Sequence, residues 1–215
     1  MNYTKLILDY INDYPEDEPI FIDDIKRFVI GVCTDENREK ILENVNVIIN
    51  RINKENIIKT FYKGIYYKPK TNIFGEMPLD KGKVISLKYL QDKNGNVKGY
   101  IKGEKLFNAL GLTTQVPNIT HIVTNEWKNA NIYKNEYLNV LVSRPKIKIT
   151  NENYKYLQFI DLLNDIDNIY IEVDNYEDII YNFILQNELE FEKILKYIRE
   201  TKSIKIMSKL LILAR

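Results

Sequence analysis

Lys40-Ile41-Leu42-Glu43-Asn44-Val45-Asn46-Val47-Ile48-Ile49-Asn50-Arg51-Ile52-Asn53-Lys54, followed closely by Ile57-Ile58-Lys59-Thr60-Phe61-Tyr62-Lys63-Gly64-Ile65-Tyr66-Tyr67-Lys68-Pro69, decides the fold of the amino-terminal third. In the first stretch Ile41, Val45, Ile48 and Ile52 recur three and four apart, with Leu42 and Ile49 alongside. That spacing predicts one apolar seam on a helix. Thr34 or Asp35 suits its amino-terminal cap. At 100° per residue, Lys40, Asn44, Val47 and Arg51 form a stripe on the far side, with Asn46, Asn50 and Lys54 beyond it. The second stretch is two β-prone runs around Lys63-Gly64, a hairpin signal that Pro69 terminates.

Upstream, Tyr3, Leu6, Ile7, Tyr10 and Ile11 have helical spacing as far as Asp13, and Pro15 stops the helix. Pro15 to Pro19 is an acidic loop. A second short helix opens at Ile22-Asp23-Asp24-Ile25, with Ile25, Phe28 and Val29 on one face and Gly31 marking its end. Three helices and a hairpin within about seventy residues is the layout of a winged helix-turn-helix, whose third helix enters a DNA major groove while the hairpin touches the backbone. On that layout Lys40, Asn44, Arg51 and Lys54 reach the duplex from the helix. Lys59 and Lys63, with Lys68 and Lys70, reach phosphates from the wing. A lysine-rich hairpin is equally the mark of a solvated sheet edge.

The 215 residues, 45% hydrophobic and 28% charged, suit a folded globular protein of one large or two small domains. Met1 to Tyr14 is interrupted by Asp9, Asn12 and Asp13, so no signal peptide is expected. The longest apolar run, Leu210 to Ala214, is too short to span a membrane, which makes the cytoplasm the expected location. The only cysteine, Cys33, excludes an intrachain disulfide and sits among apolar neighbours as a small hydrophobe. Net charge is −1 over residues 1–70, +6 over 71–150 and −4 over 151–215. The middle third is therefore the part suited to nucleic acid or an acidic partner.

Phe74 to Pro78 reads as a linker, Pro78 to Leu90 as a helix carrying Val84, Leu87 and Leu90, and Asn94-Gly95-Asn96 as a turn. A helix from Gly103 to Leu110 ends at Gly111. Ile119 to Thr124, Ile132-Tyr133 and Leu138 to Val142 are expected to form a small antiparallel sheet. Helices follow at Tyr154–Leu163, Tyr176–Leu185 and Leu189–Ile198, and Ser203 is placed to cap a terminal one through Ile204, Met207 and Leu211. The expected fold class is α+β: a winged helix-turn-helix over residues 1–70, then a mixed α/β domain over 71–215 with a small antiparallel sheet and carboxy-terminal helices.

Gly64-Ile65-Tyr66-Tyr67-Lys68-Pro69, then Gly99-Tyr100-Ile101-Lys102-Gly103-Glu104-Lys105-Leu106, then Leu110-Gly111-Leu112-Thr113-Thr114-Gln115-Val116-Pro117 and Ile122-Val123-Thr124-Asn125 together resemble the pattern of AbiEi-like antitoxins and their close uncharacterised relatives. These belong to the abortive-infection, type IV toxin–antitoxin systems. The motifs span residues 57 to about 125, and nothing after about 150 matches. The resemblance implies a DNA-binding head that represses its own operon through inverted repeats. It also implies a carboxy-terminal domain that counteracts a nucleotidyltransferase toxin without forming a stable complex with it.

Within the motif, Gly103 and Gly111 bracket the short helix, with Gly111 suited to a left-handed cap. Gln115, ahead of Pro117, is either buried and bonded to main chain or a partner contact. Thr124 lies in the last piece of the motif. Arg144, Lys146 and Lys148 alternate along an expected strand and so form a basic row, either a contact surface or a solvated edge. The acidic crowd from Asp161 to Asp178 is either a solvated face or a surface for a basic partner.

No catalytic set is legible. The single histidine, His121, lies in an apolar strand, and with one His and one Cys the usual zinc ligand sets are excluded. No nucleophile-elbow, phosphate-loop or dinucleotide motif is present, and Gly95, Gly99 and Gly103 lack the Gly-Lys-Ser/Thr ending that a phosphate loop needs. The chain is thus expected not to be an enzyme and to need no cofactor or metal, with double-stranded DNA as its partner. A protein-binding winged helix is the alternative, and an enzyme built on three converging carboxylates is a third reading.

Overall fold

The computed structural model describes residues 2–32 and 38–213, a mixture of helix and sheet. The expected cap at Thr34 or Asp35, the environment of Cys33 and the side chain of Leu211 lie outside what is described. The chain forms two compact units, Met1–Val84 and Ile85–Arg215. They meet fourteen residues beyond the boundary at residue 70 expected from sequence, because a second hairpin and a helical turn belong with the first unit.

In the first unit, α1 (Tyr3–Asn12) is capped by the Asn2 side chain, which accepts a hydrogen bond from Lys5 N at 3.2 Å. It buries Ile7 and Ile11. β1 (Ile20–Phe21) leads directly into α2 (Ile22–Val32), which buries Ile25 and Val29. Gly31 does not end α2 as expected. It is helical, without positive φ, and Val32 follows it in the helix. α3 (Arg38–Lys54) buries Ile41, Val45, Ile49 and Ile52. Ile48, expected in the seam, is only half-buried and Ile49 takes its place. β2 (Lys59–Tyr62) and β3 (Ile65–Tyr67) form the expected hairpin, and Gly64 turns it with φ +72°. β1 adds to the other side of β3, giving an antiparallel sheet of order β1-β3-β2. The expected linker at residue 74 is instead part of a second hairpin, β4 (Thr71–Asn72) with β5 (Gly75–Glu76).

α4 (Lys81–Ile85) continues as a π-helical turn over Ser86–Leu90, in which Gln91 N bonds Ser86 O at 3.0 Å. The wider turn rotates the face by a residue. Tyr89 is therefore buried in place of the expected Leu87 and Leu90, which are half-buried.

The second unit has one four-stranded sheet: β6 (Gly99–Lys102), β7 (Thr120–Thr124), β8 (Tyr133–Asn135) and β9 (Val140–Ser143), in the order β6-β7-β9-β8. The sheet is mixed rather than antiparallel, because β7 and β9 run parallel. The β8–β9 hairpin docks through its second strand, which turns β9 into the direction of β7. α5 (Glu104–Ala109) ends in a Schellman motif, with Leu112 N on Phe107 O and Gly111 N on Asn108 O, and Gly111 takes φ +76° as expected. α6 (Tyr154–Asp165), α7 (Tyr176–Gln186), α8 (Phe191–Glu200), a 3-10 turn (Ile204–Ile206) and α9 (Met207–Leu213) complete the unit. Phe107, Leu112, Phe159, Leu162, Leu163, Ile180, Ile194 and Ile198 meet in its core. Ser203 makes no side-chain cap. Its hydroxyl is buried and instead accepts hydrogen bonds from Lys146 Nζ at 2.9 Å and Thr201 Oγ1 at 3.1 Å.

No helix among the described residues is long and apolar enough to cross a membrane.

Candidate nucleic-acid interface

The seam that buries α3 against α1 and α2 leaves its opposite side exposed. Lys40, Asn44, Val47, Arg51 and Lys54 all lie on that exposed side, with Val47 68% exposed. Four polar side chains and one apolar one along a helix are the chemistry that reads base edges and thymine methyls. The same side carries Glu43 and Glu55, with Glu39 at its margin, so its charge is mixed rather than basic. Arg51 is partly committed: its Nη2 donates to Thr4 Oγ1 on α1 at 3.1 Å, and Nε lies 3.9 Å from Glu55 Oε1.

The hairpin lysines divide. Lys63 is exposed at the turn, as a wing contact requires. Lys59 is paired with Glu76 across the sheet edge, which raises its pKa. Lys68 Nζ donates to Asn12 O at 2.9 Å and so satisfies the carboxy-terminal end of α1. Lys70 is exposed.

The motif residues scatter in role. Gly103 holds φ +69° at the start of α5. Of the two readings of Gln115, the structure excludes the buried one: the side chain is exposed, and its main-chain N–H donates to Thr113 Oγ1 at 3.2 Å. Pro117 is half-buried after it. Thr124 is fully buried, with its hydroxyl donating to Lys98 O at 3.1 Å.

Arg144, Lys146 and Lys148 are all exposed, but the basic row does not lie on a strand: β9 ends at Ser143, and Pro145 cannot donate to a ladder. The acidic crowd is likewise not one solvated face. Asp161 and Asp165 turn inward to Lys102, whose Nζ is 3.8 Å from Asp161 Oδ2 and 3.4 Å from Asp165 Oδ2. Tyr100 OH donates to Asp161 Oδ2 at 2.9 Å. Burial pushes the Asp165 carboxyl up, and burial together with Asp161 pushes the Tyr100 phenol well up. This cluster joins strand and helix residues about sixty positions apart, and no local signal points to it. The contrast between a basic middle and an acidic last third is thus absorbed within one unit, where residues 85–215 hold 18 basic and 16 acidic groups.

His121 is half-buried, and its Nε2 is 3.1 Å from Ser143 Oγ. Desolvation and then the Lys102 charge lower its pKa, against a smaller upward pull from Asp161. A depressed folded value gives stability that is present above the unfolded pKa of about 6.5 and is lost as pH falls through the folded value. As the only histidine, His121 gives a single proton-NMR titration, and its midpoint is expected below about 6.5. A midpoint at or above that value would contradict the half-buried setting. Among the described residues no group of three or more His, Cys, Asp or Glu side chains is arranged to hold a metal ion.

Set beside known proteins, the chain matches no family model, and no curated protein matches it. The resemblance to AbiEi-like antitoxins therefore rests on the motif residues themselves.

Proposed function

We propose that residues 1–84 form a winged helix-turn-helix that binds double-stranded DNA, and that the protein is a regulator of its own promoter, acting at inverted repeats, rather than an enzyme. We further propose, from the motif resemblance, that it serves as the antitoxin of a phage-defence toxin–antitoxin system. In that role it counteracts a nucleotidyltransferase toxin without a stable complex. The observation that carries the DNA reading is α3, which buries Ile41, Val45, Ile49 and Ile52 while turning Lys40, Asn44, Val47 and Arg51 to the surface. The order of elements, α1-β1-α2-α3-β2-β3 with β1 paired to β3, supports the same reading.

A gel-shift titration against DNA upstream of its own reading frame, at two salt concentrations, tests it. Specific binding whose log K falls with log salt is expected. Replacing Lys40 by alanine is expected to weaken binding across all sequences and flatten the salt slope by about 1, as loss of one phosphate contact does. Asn44→Ala is expected to cost about 1–3 kcal/mol at one base position and relax specificity there. Unchanged affinity in both variants would remove α3 as the reading helix.

A protein-binding head is the second reading. Ile73 and Phe74, 93% and 91% exposed at the tip of the β4–β5 hairpin, favour it, as does a first unit with 13 basic and 14 acidic groups. Absence of DNA binding at low salt would select it.

A further inference from the structure

The second unit contains a polar cleft that the DNA-binding reading does not use. Its volume is about 130 Å³, and Ser143, Arg144, Lys146, Lys102, Asp161 and Thr201 supply its polar wall. Tyr100, Val123, Leu157 and Ile160 complete its lining. At about 30 Å³ for each water, the space holds roughly four waters, or one tetrahedral oxyanion.

The charges around it are unequal in availability. Lys102 is spent on Asp161 and Asp165, and that pairing also quiets the carboxylate nearest the cleft. Lys146 gives one hydrogen to Ser203 Oγ and keeps two more. Arg144 is exposed, and among the described residues no carboxylate pairs with its guanidinium. Ser143 Oγ is held by His121 Nε2. In the Nε2–H tautomer the imidazole donates to that oxygen, and the hydroxyl itself donates to Ile122 O at 3.5 Å, a long bond that a phosphate oxygen can take over. An arginine fork, a lysine and an oriented hydroxyl around a small polar space are the donor set that recognises phosphate.

We propose that this cleft binds a phosphate group, free or as the end of a phosphomonoester, between Arg144 and Lys146 and against the Ser143 hydroxyl. The site lies wholly within residues 85–215 and stands whether or not the first unit binds DNA.

His121, 3.1 Å behind Ser143 and alone of its kind, reports on the cleft. Inorganic phosphate is titrated into the full chain at fixed pH, with ionic strength held by sodium chloride, and the His121 ring resonances are followed. A saturable shift is expected. Arg144→Gln and Lys146→Gln are each expected to weaken it about tenfold or more, as loss of a charge-assisted bond does. Lys148→Gln removes an exposed cation outside the cleft and is expected to leave it unchanged.

Adenosine 5′-monophosphate is titrated in parallel. Binding about tenfold tighter than that of inorganic phosphate identifies the phosphomonoester as the source, and equal binding identifies phosphate alone. A drift that never saturates with either probe, or an equal loss in Lys148→Gln, overturns the proposal in favour of general surface charge. Full binding in Arg144→Gln also overturns it. Because Arg144 has an exposed side chain, that variant remains informative even if Lys146→Gln disturbs the Ser203 contact.

Discussion

Phe159→Ala is expected to lower the stability of residues 85–215 by about 3–5 kcal/mol, the range for removing a large aromatic from a closed core. Phe159 is fully buried on α6, and its ring stacks on Phe183 of α7 with centroids 6.0 Å apart and planes 18° apart. Leu162, Leu163, Phe107 and Ile180 belong to the same cluster, so the vacated volume is bounded on several sides and cannot collapse from one. Urea denaturation followed by circular dichroism checks it. The midpoint is expected to fall while the slope stays the same, because the surface exposed on unfolding barely changes. A loss under about 1 kcal/mol would mean that the α6–α7 contact is not the centre of this core.

That core was legible only in part. Periodicity puts Tyr156, Leu157, Ile160 and Leu163 on one face of α6, and the structure buries all four. It also buries Phe159 and Leu162, and Leu157 packs in a separate cluster with Tyr100, Val123 and Ile149. The amphipathic pattern misled where two positions compete for one seam. Ile48 and Ile49 are both isoleucine, and only the packing of α1 and α2 on α3 decides that Ile49 goes inside. The Gly64 hairpin and the Gly111 cap were legible because each is a local backbone demand met by a local residue. Strand direction was not. Alternation of apolar and polar residues fixes which face is buried and says nothing about direction, so the parallel β7–β9 pair could not be read.

The two residues of β1 are too few for a periodic signal, and their pairing with β3 is a contact more than forty residues long. At the candidate interface, the lysines, arginine and asparagine of α3 were readable as a stripe. The bonds that withdraw Lys59 and Lys68 from it were not, since their partners Glu76 and Asn12 lie elsewhere in the chain. The phosphate cleft has the same cause. Arg144 and Lys146 were visible as a basic row, whereas Thr201, Ser203 and Asp161 reach them only through the packing of helices on the sheet.

Gly99→Ala is expected to be far more damaging than its single added methyl suggests. Gly99 opens β6, paired with Thr124 of β7, and its φ is not in the left-handed region, so alanine meets no intrinsic backbone objection there. The obstacle is contact. A Cβ at Gly99 would lie 2.1 Å from Tyr89 O, 2.8 Å from Val123 O and 3.0 Å from Thr124 Cβ. Two of the three are main-chain oxygens, which no rotamer change can move. β6 must therefore shift away from the π-helical turn or from β7, at the expense of ladder hydrogen bonds. Ordinary overpacking costs about 1–3 kcal/mol, and a clash with fixed backbone belongs at or above the top of that range.

Two other glycines separate this from generic effects. Gly111→Ala has open space for the methyl but keeps φ +76°, so a loss of about 1–2 kcal/mol is expected from the left-handed backbone alone. Gly31→Ala has open space and a helical backbone, and a gain of about 0.5–1 kcal/mol is expected. Thermal melts of the three variants should rank Gly99→Ala lowest, then Gly111→Ala, with Gly31→Ala above the parent protein. If Gly99→Ala melts within a degree or two of Gly111→Ala, at roughly 2–4 °C per kcal/mol, then β6 does not approach the Tyr89 carbonyl as closely as the fold requires.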